Sequence, residues 1–156
     1  MAAPATSRIT PAEYLERDRA AEIRHEYIDG RMVAMSGGTG FHAILSSEVN
    51  RHLGNALEGR PCAVTTSDLK LEAVPGEAYF YPDVMVTCGS LQYVSGHTDM
   101  ITNPVVIVEV LSDSTERWDR THKFHKYRQI PTLRDYVLVS QSEMLVERYT
   151  RHENGD

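Results

Sequence analysis

Apolar residues recur along this chain with two periods. Leu45, Val49, Leu53 and Leu57 fall every four residues and predict a helix over 41–58, ending before Gly59 and Pro61. Alternation over 62–74, with Leu69 and Leu71 set against Lys70 and Glu72, predicts a strand closed by a turn at Pro75-Gly76. Two further runs are almost continuously apolar, 79–86 (Tyr79 to Val86) and 104–111 (Pro104 to Leu111). Such runs suit strands covered on both faces of a sheet.

The remaining elements are read from caps and turns. Thr10-Pro-Ala-Glu13 is a capping box with proline at the first helical position, opening a helix that ends near 19–21. Asp29-Gly30 supplies the turn of a β-hairpin over 24–35, with Glu26 on its first strand. The glycines of 36–40 make a loop, and the polar stretch 88–103 is expected to hold little regular structure. Ser112-Asp-Ser-Thr115 opens a helix reaching about Gln129, with Pro131 as its stop, and strands follow over 135–140 and 144–151. The order predicts an α/β chain, a mixed sheet flanked by helices, with residues 1–156 as one domain.

Two residues contradict the hydrophobic pattern. Asp83 and Glu109 interrupt the two most apolar runs, and a carboxylate in a buried strand is costly unless it is paired or holds a cation. Hard oxygen ligands, with a backbone carbonyl beside Glu109, favour Mg²⁺ or Mn²⁺ over zinc. A structural ion pair is the competing explanation.

Composition narrows the setting. With 41% hydrophobic and 24% charged residues, and no apolar run long enough for a membrane helix, the chain reads as soluble and cytoplasmic. Cys62 and Cys88 form no CxxC pair and are expected to be free thiols. The formal net charge of -6 argues against a protein that coats nucleic acid, yet Arg117, Arg120, His122, Lys123, His125, Lys126 and Arg128 concentrate positive charge in one segment. Within it Asp119, Lys123 and Tyr127 are four residues apart and share a helix face. His42, near the start of the second helix, is placed on the side facing the sheet, as a phosphate contact or a core histidine. His122 and His125 lack the glutamate of a zinc HExxH motif, and 37–40 lacks the lysine of a P-loop.

Taken in order, 24–30, Met35-Ser-Gly-Gly, His42, Ser67-Asp-Leu, Tyr81-Pro-Asp-Val84, Val108-Glu-Val-Leu-Ser112, Ser114-Thr115, and Asp119-Arg120 with Lys123 and Tyr127 resemble the Uma2 family from about Leu15 to Arg151. The resemblance implies the restriction-endonuclease-like fold of PD-(D/E)XK nucleases, an endonuclease activity on DNA, and a homodimer. It makes Asp83 and Glu109 the metal ligands, and Glu26 an auxiliary acid. Family members usually continue past Arg151, so C-terminal strands are expected to be missing here, with 146–151 left as an exposed edge.

One position departs from the pattern. The lysine expected two residues after Glu109 is Leu111, which leaves Lys123, brought back from the following helix, as the functional lysine and Lys70 as its alternative. The sequence therefore predicts a Mg²⁺- or Mn²⁺-dependent endonuclease with Asp83, Glu109 and Lys123 as catalytic residues. Glu26, His42 and Tyr127 assist, and Arg120 and Lys126 contact DNA phosphates. The alternative is an inactive nucleic-acid-binding or protein-interaction module of the same fold.

Overall fold

The computed structural model describes residues 7–35 and 37–155. Helix α1 (Pro11–Ala20) precedes the hairpin β1 (His25–Ile28) and β2 (Arg31–Ala34), and α2 (Gly40–Ala56) follows. Then come β3 (Cys62–Thr66), β4 (Lys70–Val74), β5 (Ala78–Phe80), β6 (Val84–Cys88), β7 (Met100–Ile101) and β8 (Val106–Val110). The third helix, α3, is composite: one turn over Glu116–Trp118, a π-helical stretch over Asp119–Lys123 and a last turn over Phe124–Tyr127. Strands β9 (Asp135–Val139) and β10 (Val146–Thr150) close the chain.

Two five-stranded sheets form where one was predicted. The first has the order β2-β1-β5-β4-β7 and the second β10-β9-β8-β6-β3. The predicted strands over 62–74 and 79–86 each break in two because the chain changes sheet inside them, at Ser67-Asp68 and at Tyr81-Pro82-Asp83. Pro82 has no N–H for a ladder, so the second crossing falls where pairing is already weakened. Asp83 is thereby placed at the junction of the sheets rather than within a strand, one residue before β6.

Local signals that need only nearby atoms hold in the fold. The capping box forms, with Thr10 N donating to Glu13 Oε2 at 2.7 Å and Glu13 N to Thr10 Oγ1 at 3.2 Å. The hairpin turn places Asp29 at φ 48° and Gly30 at φ 87°, and a Cβ on Gly30 would lie 2.8 Å from Arg8 Cβ. Core side chains from both sheets and α3 meet between them, among them Leu71, Phe80, Met85, Ile107, Tyr127 and Leu138. Helix α2 has no fully buried residue; Leu45, Val49, Leu53 and Leu57 are only half-buried.

A second cluster holds α1 against the first sheet. Tyr14, Tyr27, Tyr79 and Met100 pack together, and beside them Asp18 is buried under Tyr81 Oη (2.5 Å), Lys70 Nζ (3.0 Å) and the His25 N–H (2.7 Å). Burial opposes the Asp18 charge, but these partners hold its pKa below the ordinary carboxylate range. Its stabilisation is thus fully present above the unfolded-state pKa and is lost as pH falls through the lower folded value. Thermal melts from pH 6 to pH 2 should show an acid-side loss of stability that is smaller in Asp18→Asn, whose side chain has no charge to lose.

The cysteines are not free. The β3–β6 register sets Cys62 opposite Cys88, and a disulfide joins them across 26 residues of sequence. Sequence spacing alone could not show this, because it is strand register that brings the two Cα atoms to 4.0 Å. Reduction, or Cys62→Ser with Cys88→Ser, is expected to cost about 3 kcal/mol by loop-closure entropy, read from urea unfolding.

Candidate active site

Asp83 and Glu109 are brought together by the β6–β8 pairing, in which Val84 stands opposite Val108. The Val110 N–H donates to Asp83 Oδ2 at 2.8 Å, and the Asp83 N–H lies 3.5 Å from Glu109 Oε2. On the other carboxylate oxygen, Glu109 Oε1 accepts from Tyr127 Oη at 2.7 Å and pairs with Lys123 Nζ at 2.8 Å. Glu109 and Lys123 are each 3% exposed.

Lys123 is held by three acids. Besides Glu109, its ammonium reaches Glu26 Oε2 at 3.2 Å and Asp119 Oδ1 at 3.5 Å. Glu26 arrives on β1 and also accepts from the Tyr81 N–H at 3.1 Å, which ties the first sheet to the site. The π-helical stretch sets Asp119 and Lys123 on the same inward face, and such stretches are frequent at functional sites. Desolvation opposes the Lys123 charge, yet these carboxylates push its pKa well above the ordinary lysine value.

His42 completes the far side. Its Nε2 lies 3.3 Å from Asp83 Oδ2, and this contact, against the cost of burial, raises its pKa; the Val110 carbonyl contributes in the same direction. Burial raises Glu109 well above the usual range and also raises Glu26 and Asp119, while for Asp83 burial is outweighed by His42, the Val110 N–H and Lys123, so its pKa is depressed. Four carboxylates thus share one lysine and one histidine. Negative charge is in excess at the point where the sheets diverge.

Space around His42 is set by Gly38. A Cβ there would lie 2.9 Å from His42 Nδ1, and Gly38 has no positive φ, so the glycine serves clearance rather than backbone conformation. Gly38→Ala is expected to turn the imidazole off Asp83 and lower the His42 pKa toward the ordinary histidine value, read by NMR titration. An unchanged titration would show that the Gly38 clearance does not matter.

The donor set decides whether a divalent cation suits this place. Among the described residues no three His, Cys, Asp or Glu side chains form a ready cage. The Asp83 and Glu109 carboxylates with the Val110 carbonyl are nonetheless hard oxygen donors beside excess negative charge, and Mg²⁺ retains several waters instead of demanding an all-protein cage. The residues fit such an ion.

The other sequence-derived candidates fall outside this cluster. Arg120 pairs with Glu116 at 3.0 Å and Glu147 at 2.5 Å, so its charge is already met. Lys126, expected as a phosphate contact, is 6% exposed and bonded to Asp29 and Glu77 at 2.8 and 3.0 Å. Lys70 serves Asp18, not Asp83. Leu111, 4% exposed, joins the core cluster. Two members of the site carry no assigned role in the sequence. Asp119 shows there through its i,i+4 spacing to Lys123 and the Asp119-Arg120 motif, and Gly38 as the last residue of Met35-Ser-Gly-Gly.

All six residues of the cluster line one open cleft of about 1320 Å³. A chain of two mixed sheets and flanking helices, with paired acids at a sheet junction, has the restriction-endonuclease-like fold, and a solved structure supports this. A protein of Anabaena variabilis, described as "a putative nuclease belonging to DUF820", superposes with a TM-score of 0.70 at 18% identity, over 83% of this chain and 73% of that one. Residues 11–156 match the model of Uma2, whose description is "Putative restriction endonuclease". The chain belongs to the Uma2 family. Two uncharacterized proteins of Synechocystis are similar: one is 40% identical over 96% of this chain and 77% of its own length, the other 35% identical over 97% and 85%. Among the described residues no helix is long and apolar enough to cross a membrane.

Proposed function

We propose that this protein is a metal-dependent endonuclease that hydrolyses DNA phosphodiester bonds. The observation that carries the reading is that Lys123 enters the acidic cluster from α3, 2.8 Å from Glu109, although the strand position normally occupied by lysine is Leu111. In this reading Asp83, Glu109 and the Val110 carbonyl would hold Mg²⁺ or Mn²⁺. A bound divalent cation would supply Lewis acidity at the scissile phosphate.

The remaining chemistry is done by side chains. Lys123, kept protonated by its three acids, presents fixed positive charge where the phosphate becomes more negative. Tyr127 fixes the Glu109 rotamer through its 2.7 Å hydrogen bond, and Glu26 fixes Lys123. His42 orients Asp83 and places a proton at the cleft wall.

The test is Mn²⁺-dependent cutting of supercoiled plasmid and of circular single-stranded DNA, with a chelator control and Asp83→Asn. Cutting by wild type alone supports the proposal. Equal traces from both proteins would mark a contaminant and leave the binding-only reading, which Leu111 favours. As part of the same proposal, the edge strand β10, with Val146 exposed, offers one copy a place to pair with another.

A further inference from the structure

The cleft is built with the wrong charge for a double helix. Its lining contains six carboxylates, Glu26, Asp83, Glu109, Asp113, Glu116 and Asp119. Against them stand one lysine, Lys123, and His42; no arginine lines the cleft among the described residues. Even with one divalent cation bound and His42 protonated, the wall remains net negative.

Duplex DNA presents a charge about every 1.7 Å of axis, and proteins hold it through many Lys and Arg contacts. Here Arg120 and Lys126, three positions to either side of Lys123, are consumed by ion pairs with Glu116, Glu147, Asp29 and Glu77. The rest of the polar lining is uncharged, with hydroxyls such as Ser47, Ser67, Ser112 and Ser142 and the amides of Asn50 and Gln141. Apolar surface is exposed beside them: Phe41 is 52% and Val33 36% exposed, and Trp118 also lines the wall. Its ring stacks on His122 and its indole Nε1 is buried, so of these two aromatic side chains it is Phe41 that offers an open face.

Hydroxyls and amides serve bases and phosphates alike, but an open aromatic face suits bases, and bases are available for stacking only when a strand is unpaired. We infer that the cleft takes single-stranded DNA and discriminates against the duplex. This rests on the endonuclease reading and names the substrate class of the same site. Few phosphates are engaged by charge at once, and the strand is gripped through stacking on Phe41 and hydrogen bonds from the cleft walls.

A fluorescein-labelled 20-nucleotide strand and the same strand annealed to its complement separate the possibilities. In Ca²⁺, anisotropy is expected to show the single strand bound at least about tenfold more tightly, with a log–log salt slope of roughly -1, the value for one or two phosphates. Phe41→Ala should weaken single-strand binding about tenfold, and Asp113→Lys should strengthen duplex binding. Equal or tighter duplex binding, or a steep salt slope, overturns the inference. Cleavage in Mn²⁺ is scored separately: single-strand binding without cutting of either probe sinks the nuclease reading but supports the strand preference, whereas efficient duplex cutting does the reverse.

Discussion

Lys123→Met is expected to reduce turnover by about 10²- to 10³-fold, the range seen when one preorganised donor to a developing charge is removed. The side-chain length is nearly retained, so the loss reports charge and not space. The same substitution strands Glu26, Glu109 and Asp119 in a buried site without their cation. Removing one partner of a buried ion pair costs about 3 kcal/mol or more, roughly 6–12 °C in melting temperature for a chain of this size. Mn²⁺ should restore more of that stability in the variant than it adds to wild type, because an ion that binds only the folded state stabilises it. Lys123→Arg should not rescue turnover, since a planar guanidinium does not replace a compact ammonium among three carboxylates. Full activity in Lys123→Met would remove the functional lysine from the proposal.

Asp83→Asn is expected to be the most damaging change to activity, with turnover lowered about 10³-fold or more through loss of a hard anionic ligand. Calorimetric titration with Mn²⁺ should show the heat of binding lost along with the rate. Stability should fall modestly as well. Asp83 is held charged by His42, the Val110 N–H and Lys123, so neutralising it weakens those contacts, although the repulsion it exerts on Glu109 is relieved and the Asn carbonyl still accepts from the Val110 N–H. A loss of Mn²⁺ binding far larger than the loss of stability distinguishes a metal site from a general weakening of the fold. If Asp83→Asn binds Mn²⁺ as wild type does, the Asp83–Glu109 site is not where the metal sits.

Much of this site is legible in the amino-acid order. Asp83 and Glu109 stand out because each breaks an apolar run, and a chain does not place a carboxylate there without a partner. Lys123 and Tyr127 are visible as one helix face. The fate of the other charges on that helix is not legible in the same way. Arg120 and Lys126 look equally available, but Glu147 lies on β10, and Asp29 and Glu77 lie in turns of the first sheet, 27, 97 and 49 residues away in sequence. No local pattern encodes those pairings.

The same division runs through the fold. Capping box, hairpin turn and helix period depend on atoms within a few residues of one another, so the amino-acid order alone determined them, together with the two anomalous acids. Tertiary structure decided the rest: that 62–74 and 79–86 each divide between two sheets, that Cys62 meets Cys88, and that Lys123 stands beside Glu109 while the residue just after β8 is leucine. These depend on strand register and on which sheet a strand joins. Such choices are settled by the summed burial of the whole core, and no window of sequence contains that sum.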